Sequence, residues 1–332
     1  MTRLRYAAAV AVLTLLWTTG CTEAPDVSAY DPPGPGAVAA ARPEPPQPSA
    51  SDSDSAKDAA GVTKEPRTGP ADPTRKTPKA RPRPRQKYPV LYLGDSLAME
   101  SQRVLGKRLG DTGRATVHSA PYSGTTLCDY LSGRAVDSLV PPQDKAAALV
   151  TTHRPRVVVL QFWGNAWGYT PCMDNIPQGS APYYERYAKD ADTLTAQIAA
   201  AARSAGIPRP RIVWVLQGPD AFSADRTRRV NDLYRAQASA TGDSVSDAGR
   251  AVSGEAGRYV WQQRLPCTGE ERARAGDCRN GLAEMHRDDD PLHFCQAPTT
   301  SKPQPCPVHS PGIARYTKAI TATVDAYLRR AD

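Results

Sequence analysis

Two continuous apolar runs constrain the fold of this chain more than any other feature of its sequence. Residues 156–162 (RVVVLQF) and 211–217 (RIVWVLQ) are rich in branched and aromatic side chains. Such uninterrupted runs are typical of strands that are buried on both faces of a parallel sheet. They therefore predict an α/β fold with helices on both sides of the sheet.

The neighbouring segments extend this pattern into an alternation of strands and helices. Further strands are expected at 89–93, 114–118 and 244–247, which gives about five in all. The spacing of apolar residues predicts helices after Gly94 and at 143–152, 183–205, 224–240 and 312–330. Because ligands of such sheets bind outside the carboxyl ends of the strands, we look for functional residues there.

Residues 22–87 differ from the rest in composition. Proline, alanine, serine and charged residues dominate, and large apolar side chains are almost absent. Such a segment cannot bury enough surface to offset its ordering entropy. We therefore expect a disordered linker over 21–87, beginning at a lipidated Cys21, and one folded domain over 88–332.

The charge of the linker bears on possible partners. The whole chain has a formal net charge of +8, and Lys and Arg alternate with Pro near the end of the linker. This run indicates a solvated spacer, or a contact with anionic lipid or cell-wall polymer. It has no interleaved aromatic side chains for base stacking, so we expect no nucleic-acid partner.

The first 20 residues are typical of a signal peptide. Arg3 and Arg5 precede a short apolar segment at 7–17, which is shorter than the about 20 residues needed to span a bilayer. Residues 18–21 (TTGC) resemble a bacterial lipobox, although Thr18 stands where an aliphatic residue is usual. We expect export and a lipid anchor at Cys21 on the outer face of the cytoplasmic membrane, with plain secretion as the alternative.

The chain has seven cysteines, and six remain when Cys21 is set aside. An even number in an exported domain indicates disulfides, although sequence alone does not fix the pairing. We favour the local pairs Cys267–Cys278 and Cys295–Cys306, which leaves Cys128–Cys172 to join two long loops. The wide spacing of these residues argues against a zinc site, and we expect no metal.

A serine and a histidine that could act together stand at the ends of predicted elements. Residues 94–97 (GDSL) follow the first strand, so the Ser96 hydroxyl is presented at the sheet edge; a helix-capping serine is the alternative. In residues 290–293 (DPLH), Asp290 can accept the Nδ1–H of His293 and leave Nε2 to take the serine proton. The alternative is a surface histidine beside acidic residues. His309 lacks an acid three positions upstream and ranks below His293.

Two further residues are candidates for stabilising an oxyanion. Gly124 follows the second strand and lets its backbone N–H approach a substrate closely, and Asn165 follows the third strand and carries an amide donor. For each, an ordinary turn residue is the alternative. Nearby aromatic residues are expected either to stack on sugar rings or to pack within the loops, namely Tyr122, Trp163, Trp167 and Tyr169.

The order of these residues along the chain resembles the SGNH, or GDSL-like, hydrolase family over most of residues 88–330. The resemblance implies a three-layer α/β/α flavodoxin-like sandwich without metal or organic cofactor. It implies Ser96 as nucleophile, His293 as base, Asp290 as its orienting acid, and Gly124 and Asn165 as oxyanion donors beside the Ser96 amide. One block departs from the family pattern, because Gly164 directly precedes Asn165 and Ala166 follows it.

These features predict an exported serine esterase that hydrolyses acyl esters, chiefly O-acetyl groups, on a carbohydrate or a small ester. A covalent acyl-serine intermediate is expected. The alternatives are an O-acyltransferase of cell-envelope glycan and a non-catalytic, glycan-binding lipoprotein. We expect a monomer that meets the membrane only through its lipid anchor.

Overall fold

The computed structural model of the protein describes residues 86–134, 138–165, 170–300 and 302–331. The predicted signal peptide, Cys21, nearly all of the linker, Trp167 and Tyr169 lie outside the described residues. Within the described ranges, no helix combines the length and the apolar character needed to cross a membrane.

A five-stranded parallel sheet forms the centre of the domain and confirms the predicted fold class. Its strands lie in the order β2-β1-β3-β4-β5, and all four pairings are parallel. This is the flavodoxin-like order, which reverses direction between β1 and β3. The strands are β1 (Tyr88–Gly94), β2 (Ala115–Ser119), β3 (Val157–Gln161), β4 (Arg211–Val215) and β5 (Ser244–Ser246).

The helices lie close to their predicted positions. The longer ones are α1 (Ser96–Asp111), α2 (Ala146–His153), α3 (Ala181–Ser204), α4 (Ala224–Thr241) and α7 (Pro311–Ala331). Two short helices, α5 (Ala248–Ala251) and α6 (Gly269–Ala273), were not expected from the sequence. Short 3₁₀ turns occupy Leu127–Tyr130, Pro142–Asp144 and Pro171–Met173.

The sheet separates two hydrophobic cores, as strands buried on both faces require. Leu91, Leu160 and Trp214 face one core, to which α2, α3 and α4 contribute. Tyr92, Val159 and Val213 face the other, to which α1 and α7 contribute. The continuous apolar runs therefore supply side chains to both layers, which explains why they do not alternate with polar residues.

A small antiparallel hairpin precedes the loop that contains His293. It pairs β6 (Arg264–Pro266) with β7 (Leu282–Glu284). Each strand has only three residues, so the sequence offered no periodic signal for it.

The structure contains the three disulfides that we favoured. Cys267–Cys278 and Cys295–Cys306 each close a separation of 11 residues. Cys128–Cys172 joins residues 44 apart and connects two of the 3₁₀ turns. The last pair ties the loop after β2 to the loop after β3.

Candidate active site

Ser96 lies at the carboxyl end of β1, where the chain turns into α1. The residue that caps the helix is Asp95: its backbone is extended, and its side chain accepts the Leu97 N–H at 3.0 Å. Ser96 is therefore the first residue of the helix and not its cap, so the structural alternative considered for this serine does not apply. Its hydroxyl takes no part in capping.

The side chains of Ser96, His293 and Asp290 form a continuous chain of hydrogen bonds. Nε2 of His293 lies 2.9 Å from Ser96 Oγ across 197 residues of sequence. Nδ1 of the same ring lies 2.9 Å from Asp290 Oδ2 and 3.1 Å from Oδ1. Asp290 also accepts the backbone N–H of His293 at 3.0 Å, which fixes the loop that holds the ring. The structure thus brings together the three residues that the sequence placed in one site.

The charges around His293 stabilise its imidazolium form. Burial lowers the pKa of His293, but the hydrogen bond to Asp290 and the negative charge of Glu100 outweigh this and raise it to about 9. Burial raises the pKa of Asp290, yet the hydrogen bond and charge of His293 hold it well below its usual range. Asp290 is therefore ionised at neutral pH and suited to stabilise a protonated His293.

Three loops meet at the carboxyl edge of the sheet around Ser96. Asp95 Oδ2 accepts the Trp163 N–H at 2.5 Å, which ties the turn after β1 to the loop after β3. The carbonyl oxygen of Gly94 accepts the Tyr122 N–H at 2.9 Å and the Tyr130 hydroxyl at 2.8 Å, both from the segment after β2. These bonds lie at the point where the strand order reverses, which is where such sheets bind ligands.

Asn165 is buried in the loop after β3, with 3% of its surface exposed. Its amide nitrogen donates to the Thr125 carbonyl oxygen at 2.9 Å. A carboxamide nitrogen carries two hydrogens, and this bond uses one. Asn165 is thus connected to the segment that contains Gly124.

The carbonyl groups that precede Asn165 are each held by a distant side chain. The Phe162 carbonyl accepts from the Tyr234 hydroxyl at 3.0 Å, the Trp163 carbonyl accepts from Arg226, and the Gly164 carbonyl accepts from the Tyr183 hydroxyl at 2.7 Å. Gly164 has φ +90°, and a Cβ there would lie 2.6 Å from the Tyr183 hydroxyl. A glycine is therefore required beside Asn165.

Gly124 occupies a turn after β2 with φ +78°. This left-handed conformation favours glycine and orients the peptide groups on either side of it. The neighbouring Ser123 lines the same cavity as Ser96.

A cavity of about 130 Å³ opens beside Ser96 and His293. Its opposite wall is the loop closed by the Cys295–Cys306 disulfide, including Pro298, Thr300 and Lys302. Arg287 also lines the cavity and is paired with Asp289 at 2.8 Å.

The other candidate residues have hydrogen-bonding or packing partners that account for their positions. Trp163 is buried with 4% exposure, and the Arg226 guanidinium lies 3.7 Å from its ring centroid, so it packs within the loops and does not present a face to sugars. Tyr122 bonds Asp144 through its hydroxyl. His309 lies 2.7 Å from Asp277 in a different cavity. Among the described residues, the single group with metal-ligand spacing is Cys128, Asp129 and Cys172, and its two cysteines form a disulfide.

The sequence analysis missed two residues that shape the site. Glu100 of α1 and Arg226 of α4 are both buried and charged, with 5% and 2% exposure. Charged residues on the apolar faces of predicted helices were the available signal, since such groups are rarely buried without a partner.

The site combines a parallel sheet of flavodoxin-like order with a hydrogen-bonded Ser–His–Asp chain at its carboxyl edge. The fold and the site thus have the arrangement that the resemblance noted in the sequence implied.

Several solved structures resemble part of this chain. A lipolytic protein of the G-D-S-L family from Desulfitobacterium hafniense aligns over 52% of this chain and 85% of its own, with 15% identity and a TM-score of 0.37. The esterase EstA from Pseudoalteromonas sp. aligns over 73% and 100%, with 11% identity and a TM-score of 0.39. A catalytic variant of Axe2, an acetylxylan esterase from Geobacillus stearothermophilus, aligns over 50% and 78%, with 15% identity and a TM-score of 0.32.

No family model matches the sequence, and no curated protein matches it. Because the structural likenesses are partial, we base the functional proposal on the side chains described above.

Proposed function

We propose that the protein is an exported serine esterase that removes short acyl groups from a carbohydrate or a small ester through an acyl-Ser96 intermediate. The observation that carries this proposal is the hydrogen-bonded chain from Ser96 Oγ through His293 to Asp290. A serine hydroxyl is a poor nucleophile at neutral pH and needs an adjacent, oriented base. His293 supplies the base and Asp290 its orientation.

In the acylation step, Ser96 Oγ attacks the acyl carbon of the ester while its proton passes to His293 Nε2. The carbonyl oxygen takes the negative charge of the tetrahedral intermediate. Collapse of this intermediate breaks the bond to the alcohol oxygen, which leaves with the proton from Nε2. The acyl group remains bonded to Ser96.

Water completes the reaction in a second addition and collapse, in which water is the nucleophile and Ser96 Oγ is the leaving group. It attacks the acyl carbon and gives a proton to His293 Nε2, and collapse then expels Ser96 Oγ, which recovers the proton. The acid is released and the site is restored. During both steps Asp290 stabilises the imidazolium that forms on His293.

We propose that three groups donate hydrogen bonds to the oxyanion. They are the Ser96 N–H at the start of α1, the backbone N–H of Gly124 and the second side-chain N–H of Asn165. The partial positive charge of the helix start favours an anion at the Ser96 amide. The hydrogen bonds to the buried carbonyl groups of Phe162 and Gly164 hold the backbone before Asn165 in place. They support a fixed orientation of the Asn165 side chain, which electrostatic stabilisation of an oxyanion requires.

The size of the cavity supports a short acyl group. Its volume of about 130 Å³ is small beside the roughly 300–1,000 Å³ of pockets that enclose whole small molecules. An acetyl group fits such a space, while the alcohol part of the ester extends toward solvent. An O-acetylated glycan of the cell envelope is the substrate class that we propose.

The location that we propose is the outer face of the cytoplasmic membrane, through a lipid on Cys21. Three disulfides support an oxidising compartment outside the cytoplasm. Cys21→Ser is expected to release the protein from membranes into the medium. Membrane retention of this variant at the level of the unaltered protein would contradict the anchor.

Hydrolysis of p-nitrophenyl acetate and release of acetate from acetylated oligosaccharides test the activity. Ser96→Ala and His293→Ala are each expected to lower kcat by at least about 10³-fold, because the residues act as one unit. Matched controls are Ser101→Ala, on the same helix, and His309→Ala, in the other histidine–aspartate pair. The proposal fails if Ser96→Ala keeps the activity of its control.

A further inference from the structure

Glu100 links the helix of the nucleophile to the loop of the base. It lies one turn after Ser96 on α1, so the two residues share a face of the helix. Its Oε1 accepts the Phe294 N–H at 3.0 Å, and its Oε2 accepts the Cys295 N–H at 3.0 Å. These are the two residues that directly follow His293.

The backbone of Glu100 adds a third connection. Its carbonyl oxygen accepts the Cys306 N–H at 3.1 Å, and Cys306 is bonded to Cys295. One residue of α1 therefore holds both ends of the disulfide-closed loop that forms the wall of the cavity. On its other side the base loop is held through carbonyl groups, with His286 Nδ1 at 3.0 Å from the His293 oxygen and Trp261 donating to Pro291 at 3.0 Å.

Burying a carboxylate at this position costs free energy that a neutral side chain would not cost. The groups around Glu100 offset this cost in part. Burial raises the pKa of Glu100 to about 7, although the charge of His293 and the two backbone N–H groups favour its ionised form. The two backbone donors need two acceptor oxygens, which a carboxylate offers and a carboxamide does not. No cationic side chain is bonded to the Glu100 carboxylate among the described residues.

We propose that Glu100 is a positioning residue that holds the His293 loop at hydrogen-bond distance from Ser96 and keeps the imidazole in a negative environment. This inference rests on the proposed esterase function. It assigns to α1 a double role: its first residue carries the nucleophile, and its next turn fixes the base.

Two substitutions separate the geometric and the charge contributions of Glu100. Glu100→Gln keeps the size of the side chain but removes its charge and one acceptor. Glu100→Asp keeps the charge but shortens the side chain, so it cannot reach both N–H groups. Glu271→Gln is the matched control, because Glu271 is equally buried, also accepts a backbone N–H and lies in the other cavity.

Both Glu100 variants are expected to lower kcat for p-nitrophenyl acetate by about 10- to 100-fold, as for the loss of one hydrogen bond to a charged acceptor, with KM changed less than about 3-fold. Their pH profiles are expected to differ. Glu100→Gln lowers the pKa of His293, so the acid limb of kcat/KM moves to lower pH, whereas Glu100→Asp leaves it near that of the unaltered enzyme. The other ionisable groups facing the pair, namely Asp95, His286, Arg287 and Asp290, are the same in each variant.

Melting temperatures and kinetics are measured together on the full mature protein. Glu271→Gln is expected to lower the melting temperature without moving the acid limb. Unaltered kcat and an unmoved acid limb in Glu100→Gln, with Ser96→Ala inactive, would overturn the role of Glu100 and leave the esterase proposal intact. If Glu100→Gln does not fold, unaltered kcat in Glu100→Asp has the same meaning. Full activity of Ser96→Ala would instead overturn the esterase proposal.

Discussion

The Cys128–Cys172 disulfide is the cross-link whose loss should destabilise the domain most. It spans 44 residues and joins the loop that contains Gly124 to the loop that contains Asn165. Both cysteines are completely buried. The perturbation is the double substitution Cys128→Ala/Cys172→Ala, which removes the bond without leaving a free thiol or adding a buried hydroxyl.

The expected cost follows from the entropy of closing a loop in the unfolded chain. For a loop of this length the chain-entropy relation gives about 4 kcal/mol at 25 °C, against about 3 kcal/mol for a separation of 11 residues. The cavity left by two buried sulfur atoms adds to the first value. In a domain of this size, about 4 kcal/mol corresponds to a fall in melting temperature of roughly 8–16 °C.

Thermal and urea unfolding of the double variants under non-reducing conditions measure the difference. Cys267→Ala/Cys278→Ala is the matched control, because it removes a native disulfide that closes a short loop at the partly exposed hairpin. The free energy of unfolding should fall further in Cys128→Ala/Cys172→Ala than in this control. An equal or smaller loss would refute the explanation from loop length and burial.

Two more outcomes follow from the geometry of the site. Because the base must be neutral to take the Ser96 proton and the pKa of His293 is raised to about 9, kcat/KM for p-nitrophenyl acetate should rise with pH up to about 9; a plateau already reached at pH 7 would contradict this. Asn165→Ala should lower kcat by about 10²–10³-fold with little change in KM, as for the loss of one oxyanion donor, and an unchanged kcat would remove Asn165 from the site.

Much of the fold could be predicted because its central strands carry their own signal. The uninterrupted apolar runs at β3 and β4 identified strands covered on both faces, and the helices between them followed from apolar spacing. The β6–β7 hairpin and the short helices α5 and α6 were missed. Elements of three to five residues are too short for either pattern to repeat often enough to be recognised, and tertiary contacts and a disulfide decide their conformation.

The site residues that could be predicted are reactive side chains that lie near the end of a strand or close to their partner in the sequence. Ser96 and Asn165 lie within four residues of strand ends, and Asp290 lies three residues before His293. Glu100 and Arg226 were not predicted, because the bonds that tie them to the site go to backbone atoms far away in sequence: Phe294 for the first and Trp163 for the second. A sequence marks a residue that performs chemistry more readily than one that holds another residue in place.

The loop between Cys295 and Cys306 is a closed ring attached at both ends to α1, through the Glu100 side chain and the Glu100 carbonyl oxygen. Seven residues inside this ring line the cavity and none of them is the base, namely Ala297, Pro298, Thr299, Thr300, Lys302, Pro303 and Gln304. The ring residues that line the cavity and the residue that acts as base therefore lie on separate segments. The cavity-lining residues can change while His293 keeps its position. Substitutions at these seven positions should therefore alter which substrates bind while His293 stays within reach of Ser96.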